Sequence, residues 1–393
     1  MVTFIDRADD VGPLAQRLSE SELIPLDVES NGLHAYRPIL CTMQLATVHE
    51  GSVAEVVIVD TIALGDDALA PLRDVLGRGG PRKILHDLAF DARILGAHGI
   101  ALGNVIDTSV AARFLGLTST GLSTLVELKL GTKLTKEHQH HDWAKRPLTA
   151  EHLQYLHNDV AFLPALARAL VDEAEAKDIM EEVAAETEYR IGTALASLED
   201  LDPRPPYVRI KGCGALDPQA LAVLRRVAAV REEAAQRWNV PPFKVVGNES
   251  LIELAKKRPA DPSDIRRVRG LDKGRPASLV SAFRLAIGEA VRDGDIPEEE
   301  RAQFFAEAER PDRTVVEARK LREQRLSTWR KKTAKERTLD EQVVLPGHCL
   351  QDIVDAQPED PRELAAIPGI GARRVERDGV AILEALHSAR ADA

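Results

Sequence analysis

A chain of 393 residues, 44% of them hydrophobic, is long enough for two or three domains with apolar cores of their own. It has no apolar run near the roughly 18 residues that a membrane helix needs, and its opening MVTFIDRADD has neither the basic nor the apolar region of a secretory signal, so a cytoplasmic location is expected. The net charge of −11 excludes a uniformly cationic nucleic-acid binder, but the charge is uneven: residues 1–195 hold 17 basic and 29 acidic side chains, the remainder 35 and 34. Three distant cysteines, Cys41, Cys213 and Cys349, have no metal-ligand spacing and suit a reducing compartment.

The first ~110 residues alternate strand-like and helical patterns. LIPLDVES, ILCTMQLATV and EVVIVDT read as strands, DALAPLRDVLG as a helix ending at Gly77, RKILHD as a short strand and LAFDARILGAHG as a helix closed by Gly99. This mixture predicts an α/β domain around a mixed sheet. From ~107 to ~195 the pattern is mainly helical, in DTSVAARFLG, GLSTLVELKLG and the stretch 149–190. EDLDPRPPYVRIKGCGALDP (199–218) is rich in Pro, Gly and Asp and reads as a linker. Beyond it lies a repeat. Residues 248–271 align without gaps on 347–370, an offset of 99, with Leu251/Leu350, Pro259/Pro358, Asp261/Asp360, Pro262/Pro361 and Gly270/Gly369 identical. Two copies of a small all-α module are therefore expected. The boundaries expected are an α/β domain at 1–198, a linker at 199–212, modules at 213–292 and 314–390, and a second linker at 293–313. The segment 313–337 holds 10 basic and 3 acidic residues.

Asp27 and Glu29 end the strand-like stretch LIPLDVES. Alternation sends both to one side, about 6.6 Å apart along the strand. Like charges so close repel, and a divalent cation that prefers carboxylate oxygen relieves the repulsion. Asp91 lies in a helix whose Leu88, Phe90, Ile94 and Leu95 are apolar. Asp159 follows Tyr155 by four residues, which puts phenol and carboxylate on one helix face. Each could also be an ordinary surface acid, and Tyr155 a half-buried core residue.

Asp-x-Glu, an Asp ~60 residues on, and Tyr-x-x-x-Asp ~65 later resembles the DEDD exonuclease superfamily. Position 154, where its histidine subgroup would carry His, is Gln154, so the tyrosine subgroup is the match. DWAKRPLTAEHLQYLHNDVAFL (142–163) resembles the corresponding segment of the ribonuclease D family, and the modules resemble its helicase-and-ribonuclease-D C-terminal domain, present twice. The resemblance implies a ribonuclease H-like mixed sheet flanked by helices and a 3′→5′ exoribonuclease acting on structured RNA such as tRNA 3′ ends, with two Mg²⁺ or Mn²⁺ ions and release of 5′-mononucleotides. It implies that Asp27 bridges both metals, that Glu29 and Asp159 hold the ion that activates water, that Asp91 helps to hold the other, and that Tyr155 orients the attacking water. A monomer with RNA as its partner is expected.

Further substrate contacts are suggested. Leu33 packs against the terminal base in similar exonucleases, or is a turn leucine returning to the core. His86 is a binding candidate or a structural histidine. Its neighbour Asp87 stands where the family usually has Asn; a carboxylate there accepts from hydroxyls or repels phosphate. The run HQHH (138–141) suits zinc poorly, because adjacent histidines face different ways. Lys145 and Arg146 could meet phosphate or form a solvated loop. In the modules, Lys273 and Arg275, and Arg373 and Arg374 beside a Gly-x-Gly turn at a helix start, could receive phosphate; a structural corner is the alternative. Trp329, in the basic helix, could stack a base or sit in the core. Two rival functions are a 3′→5′ DNA exonuclease, since carboxylates do not choose a sugar, and a non-catalytic RNA-binding protein.

Overall fold

A computed structural model describes residues 2–135, 137–199, 204–272, 274–305 and 312–388. Met1–Ser30, Leu40–Asp200 and Pro311–Ala393 form one compact unit, and Asn31–Ile39 with Leu201–Arg310 form another.

The first unit is built on a six-stranded sheet of β1 (Val2–Ile5), β2 (Leu23–Ser30), β3 (Leu40–His49), β4 (Ser52–Asp60), β5 (Arg82–Leu85) and β6 (Val105–Asp107), in the order β1-β4-β3-β2-β5-β6. The central β4-β3-β2 pairings are antiparallel, and β1, β5 and β6 run parallel to their neighbours. Nine of the ten β3 residues are buried, which is why LCTMQLATV lacks in–out alternation: both of its faces are covered. On one side Leu26, Val28, Met43 and Leu45 pack with α1 (Val11–Ser19), α3 (Leu72–Leu76), α4 (Ala89–Ala97) and α9 (Met180–Glu199). The residues between them on β2, Asp27 and Glu29, therefore turn to the other side, toward α7 (Ala150–Ala161) and α8 (Leu163–Ala176). Three further helices, α2 (Thr61–Leu64), α5 (Thr108–Phe114) and α6 (Leu122–Leu130), complete the domain.

Four details differ from the expected pattern. β1 and β6, at four and three residues, are too short to leave a periodic signal. The stretch 66–76 is a 3₁₀ turn and a short helix, divided at Pro71. The run 150–190 is three helices, because Pro164 restarts the chain at the head of α8 and Asp178 adopts a left-handed conformation before α9. Tyr207, Ile210 and Cys213, inside the stretch read as a linker, are buried in the core of the second unit.

The repeat is real at the level of backbone. In the second unit α10 (Pro218–Trp238), α11 (Pro242–Val245), α12 (Asn248–Lys257), α13 (Pro262–Ile265) and α14 (Ala277–Asp293) are followed by α15 (Glu298–Phe304). In the first unit α16 (Arg313–Arg337), α17 (Glu341–Val344), α18 (Gly347–Ala356), α19 (Pro361–Ala365) and α20 (Ala372–His387) repeat the first five. The left-handed residues that end the helices recur at the same offset: Asn239 and Thr338, Arg258 and Gln357, Gly270 and Gly369. Trp329 is half-buried against the core of the second copy.

That second copy is docked on α9. A Cβ at Gly369 would lie 2.6 Å from the His348 ring and 3.0 Å from Tyr189, and one at Gly371 would lie 2.9 Å from Ala185. The Gly-x-Gly turn is therefore a place of close helix approach. His348 stacks flat on Tyr189 with ring centres 3.7 Å apart, and its Nε2 lies 3.0 Å from Glu186. Arg377 meets Glu182 at 2.7 Å, and Arg373 pairs with Asp178. Arg374 is fully buried and donates to the carbonyls of Val343 and Ile370, both at 2.9 Å. Arg374, suggested as a phosphate contact, thus has internal partners, while Arg373 pairs with the exposed Asp178 at the surface.

Asp107, fully buried at the end of β6, accepts four backbone N–H groups: Ser109 and Val110 at the head of α5 (2.8 and 3.2 Å), and Asp87 and Leu88 before α4 (3.1 and 3.0 Å). Asp107→Ala removes a helix cap and strands two further donors, so it should lower the unfolding free energy by about 3 kcal/mol in urea titration. Arg377→Ala should cost about 3 kcal/mol, because Glu182, 1% exposed, is left charged and unpaired; Glu182→Gln in the same chain should recover part of the loss.

Candidate active site

The parallel pairing of β2 with β5 covers only Leu23–Pro25, so β2 runs on past the end of β5 while the other chain turns into α4. A cleft opens there, of the kind found beyond the carboxyl ends of parallel strands. It holds about 430 Å³ and is lined by Asp27, Glu29, His86, Asp87, Tyr155 and Asp159, with Thr120–Ser123, Leu134, Thr135 and Gln139 also on its wall. A break in register between Glu29 and Ser30 ends regular pairing beside it.

One carboxylate oxygen from each of Asp27, Glu29 and Asp159 lies within 4.8 Å of the others. The Asp159 Oδ2 is buried with no hydrogen-bond partner. Asp91 sits in the first turn of α4, where the helix N-terminus favours a carboxylate, and it is 6% exposed. Burial pushes all four carboxyls up: Asp27 to about 7, Glu29 to about 10 with Asp27 and Asp159 adding to the effect, and Asp91 and Asp159 well above the usual range. Acids so destabilised as anions, with an unpartnered oxygen among them, fit a divalent cation.

The tyrosine is fixed from outside the cleft. Trp143, 1% exposed, stacks on Tyr155 with ring centres 5.6 Å apart, and His138, His141 and His152 pack their rings around the pair. Burial, then the charges of Asp159, Glu29 and Asp27, raise the Tyr155 hydroxyl and keep it protonated. Gln44, fully buried in β3 opposite Asp27, was not singled out in the sequence. With its amide assigned, on hydrogen-bonding grounds, so that the nitrogen faces Asp27, it donates to the Asp27 carbonyl oxygen (2.8 Å) and to Asp27 Oδ2 (3.3 Å), and its oxygen accepts from the Thr42 hydroxyl at 2.6 Å. A lone amide inside a buried apolar strand was the available signal.

The suggested substrate contacts separate. His86 lines the cleft with Nδ1 2.8 Å from the Thr108 hydroxyl, and burial lowers its pKa. Lys145 is exposed. Arg146 is not offered to phosphate: it grips Asp60 through two bonds of 2.6 and 2.7 Å and donates to the carbonyls of Cys41, Trp143 and Lys145. Arg275 likewise donates to the carbonyls of Gly270 and Lys244. Leu33 is exposed in the segment 31–39, which belongs to the second unit. Lys273 lies outside the described residues.

Residues 2–175 match the family model of a 3′-5′ exonuclease, and 220–277 and 321–386 match the HRDC domain. The ribonuclease D of Gluconacetobacter diazotrophicus is 31% identical over 322 residues, covering 79% of this chain and 77% of that protein. The chain belongs to the ribonuclease D family. It is a 3′→5′ exoribonuclease, a hydrolase of phosphodiester bonds. The ribonuclease D of Acidiphilium cryptum is 30% identical over 317 residues, covering 79% and 78%. Among solved structures, Escherichia coli RNase D, an exoribonuclease involved in structured RNA processing, matches with a TM-score of 0.65 at 21% identity over 98% of each chain. A Bifidobacterium adolescentis protein matches with 0.72 at 22%, over 98% of this chain and 97% of that one. These two likenesses confirm the fold: a mixed-sheet nuclease domain followed by helical modules.

The acid cluster sets a pH dependence. Without metal, the folded state holds protons on these carboxyls that the unfolded chain has released. Its stability contribution therefore falls as pH rises from about 4 through the Asp27 value of about 7. In EDTA at pH 8, Asp27→Asn should melt about 3 °C or more above the wild type, and the gap should shrink at pH 5. Mg²⁺ or Mn²⁺ should raise the wild-type Tm at pH 8 and leave that of Asp27→Asn nearly unmoved.

Proposed function

We propose that the exoribonuclease works with two divalent ions, Mg²⁺ or Mn²⁺, on the 3′ ends of structured RNA such as tRNA precursors, releasing 5′-mononucleotides. The observation that carries the reading is the convergence of Asp27, Glu29 and Asp159 in one cleft, with Asp91 and the protonated Tyr155 beside them. Asp27, at the centre of the charge coupling, would be shared between the ions, Glu29 and Asp159 would hold one, and Asp91 would help to hold the other. Such ions supply an activated water and neutralise the charge on the leaving 3′-oxygen. Tyr155 acts as a hydroxyl donor that orients the water; its raised pKa makes it a poor base. Trp143 keeps the phenol aimed, and Gln44 holds the backbone and side chain of Asp27.

The chain is read as a cytoplasmic monomer. Among the described residues no helix is long and apolar enough to cross a membrane, and Cys41, Cys213 and Cys349 are buried free thiols.

The decisive experiment is a gel time course on a 3′-tailed tRNA and a sequence-matched single-stranded DNA, with Mg²⁺, Mn²⁺ or EDTA. Stepwise 3′ shortening of the RNA, abolished by EDTA, is expected. Asp27→Ala should lower kcat by about 10³-fold or more, whereas Tyr155→Phe, which keeps the metal ligands, should lower it about 10–100-fold. Full activity of Asp27→Ala, or shortening in EDTA, would overturn the assignment.

A further inference from the structure

We propose that Asp87 determines sugar specificity: its carboxylate accepts a hydroxyl of the 3′-terminal ribose, and Arg190 is the positioning residue that holds it there. Asp87 lies in the turn between β5 and α4, in a left-handed conformation with φ of 60°. Its N–H and that of Leu88 are both tied to the buried Asp107, so the backbone is fixed although the side chain is 67% exposed. The side chain lines the cleft that contains Asp27, Glu29, Tyr155 and Asp159.

Arg190, reaching from α9, places a guanidinium nitrogen 3.8 Å from the Asp87 carboxylate and is itself only 17% exposed. Its Nε donates to Glu186 at 2.9 Å, and Glu186 also meets His348 of the second helical module at 3.0 Å. The cation is held between two carboxylates, so it steadies Asp87 and offsets its charge.

A carboxylate accepts hydrogen bonds and donates none. At a cleft that takes a polyanion it repels phosphate. It is not one of the three residues whose oxygens converge within 4.8 Å. The donors left on RNA are base amino groups and ribose hydroxyls. Amino groups change from base to base, whereas an exonuclease meets every base in the same place. The ribose hydroxyls are identical at each step and the 2′-hydroxyl separates RNA from DNA. They are the donors that a fixed acceptor can use in every cycle.

The test measures single-turnover removal of the first nucleotide from three oligoribonucleotides: an ordinary 3′ end, a terminal 2′-deoxynucleotide and a terminal 3′-deoxynucleotide. The wild type should lose about tenfold in rate on the 2′-deoxy end. Asp87→Ala should remove the ordinary end at that slower rate and show no preference. Asp87→Asn, which tolerates the left-handed backbone, should keep part of the preference. Arg190→Ala should raise KM on the ordinary end more than it lowers kcat, and Arg190→Lys should restore most of the loss. Equal wild-type rates on all three ends would overturn the proposal. So would a uniform slowing of all three by Asp87→Ala, or a shift in the Mg²⁺ requirement of that variant.

Discussion

Asp27, Glu29 and Asp159 converge in one cleft with Asp91 buried beside them, and the mutual repulsion of these four carboxylates is the constraint around which this nuclease domain is built. No single segment could hold them together. Each is delivered by a rigid element: two by alternate positions of β2, one by the first turn of α4, one by α7. The sheet supplies the rigidity, because β3 beside β2 is buried on both faces and α7 packs through Leu156 and Val160. Charge that would be intolerable in a loose loop is tolerable here because the backbone cannot relax away from it and a cation can replace the missing solvation.

A second set of polar groups serves that first set. Gln44 braces Asp27 from the neighbouring strand. Asp107 pins the turn at Asp87 and Leu88, which sets where α4 begins and so where Asp91 points. Arg146 ties the loop carrying Trp143 to Asp60 at the end of β4, and Trp143 in turn backs Tyr155. Asp107, with four N–H donors, and Arg146, with five bonds, fix geometry because moving either would leave several partners unsatisfied at once.

The legible part of the sequence was the part governed by short periods. Alternation placed Asp27 and Glu29 on one face, the four-residue spacing placed Tyr155 over Asp159, and the offset of 99 gave the repeat. What could not be read depends on long-range pairing. Asp91 joins the cluster only because β5 lies beside β2, and β6, three residues long, leaves no pattern of its own. Basic residues misled for a related reason. Arg146, Arg275 and Arg374 look like phosphate contacts in one dimension, yet Arg146 meets Asp60 and the carbonyl of Cys41, and Arg275 and Arg374 donate to the carbonyls of Lys244 and Val343, partners that only folding brings near. Tyr207 and Ile210, in a stretch with a linker's composition, are likewise core residues because helices far along the chain cover them.

The same logic separates the two helical modules. They share a backbone, but the second has turned its Gly-x-Gly corner into a docking surface: Gly369 and Gly371 admit Tyr189 and Ala185 of α9, and Arg373 and Arg377 answer the acidic residues Asp178 and Glu182. α9 also packs against α4 and carries Arg190, which faces Asp87. Part of the acidic excess of residues 1–195 is thus matched by cations of the C-terminal half within the folded chain, and the near-neutral balance of that half overstates the positive charge left for RNA. A module of a nucleic-acid-binding type has become a wall of the catalytic unit, joined to the cleft through His348, Glu186 and Arg190. Its removal would therefore disturb the nuclease domain itself as well as any hold on substrate.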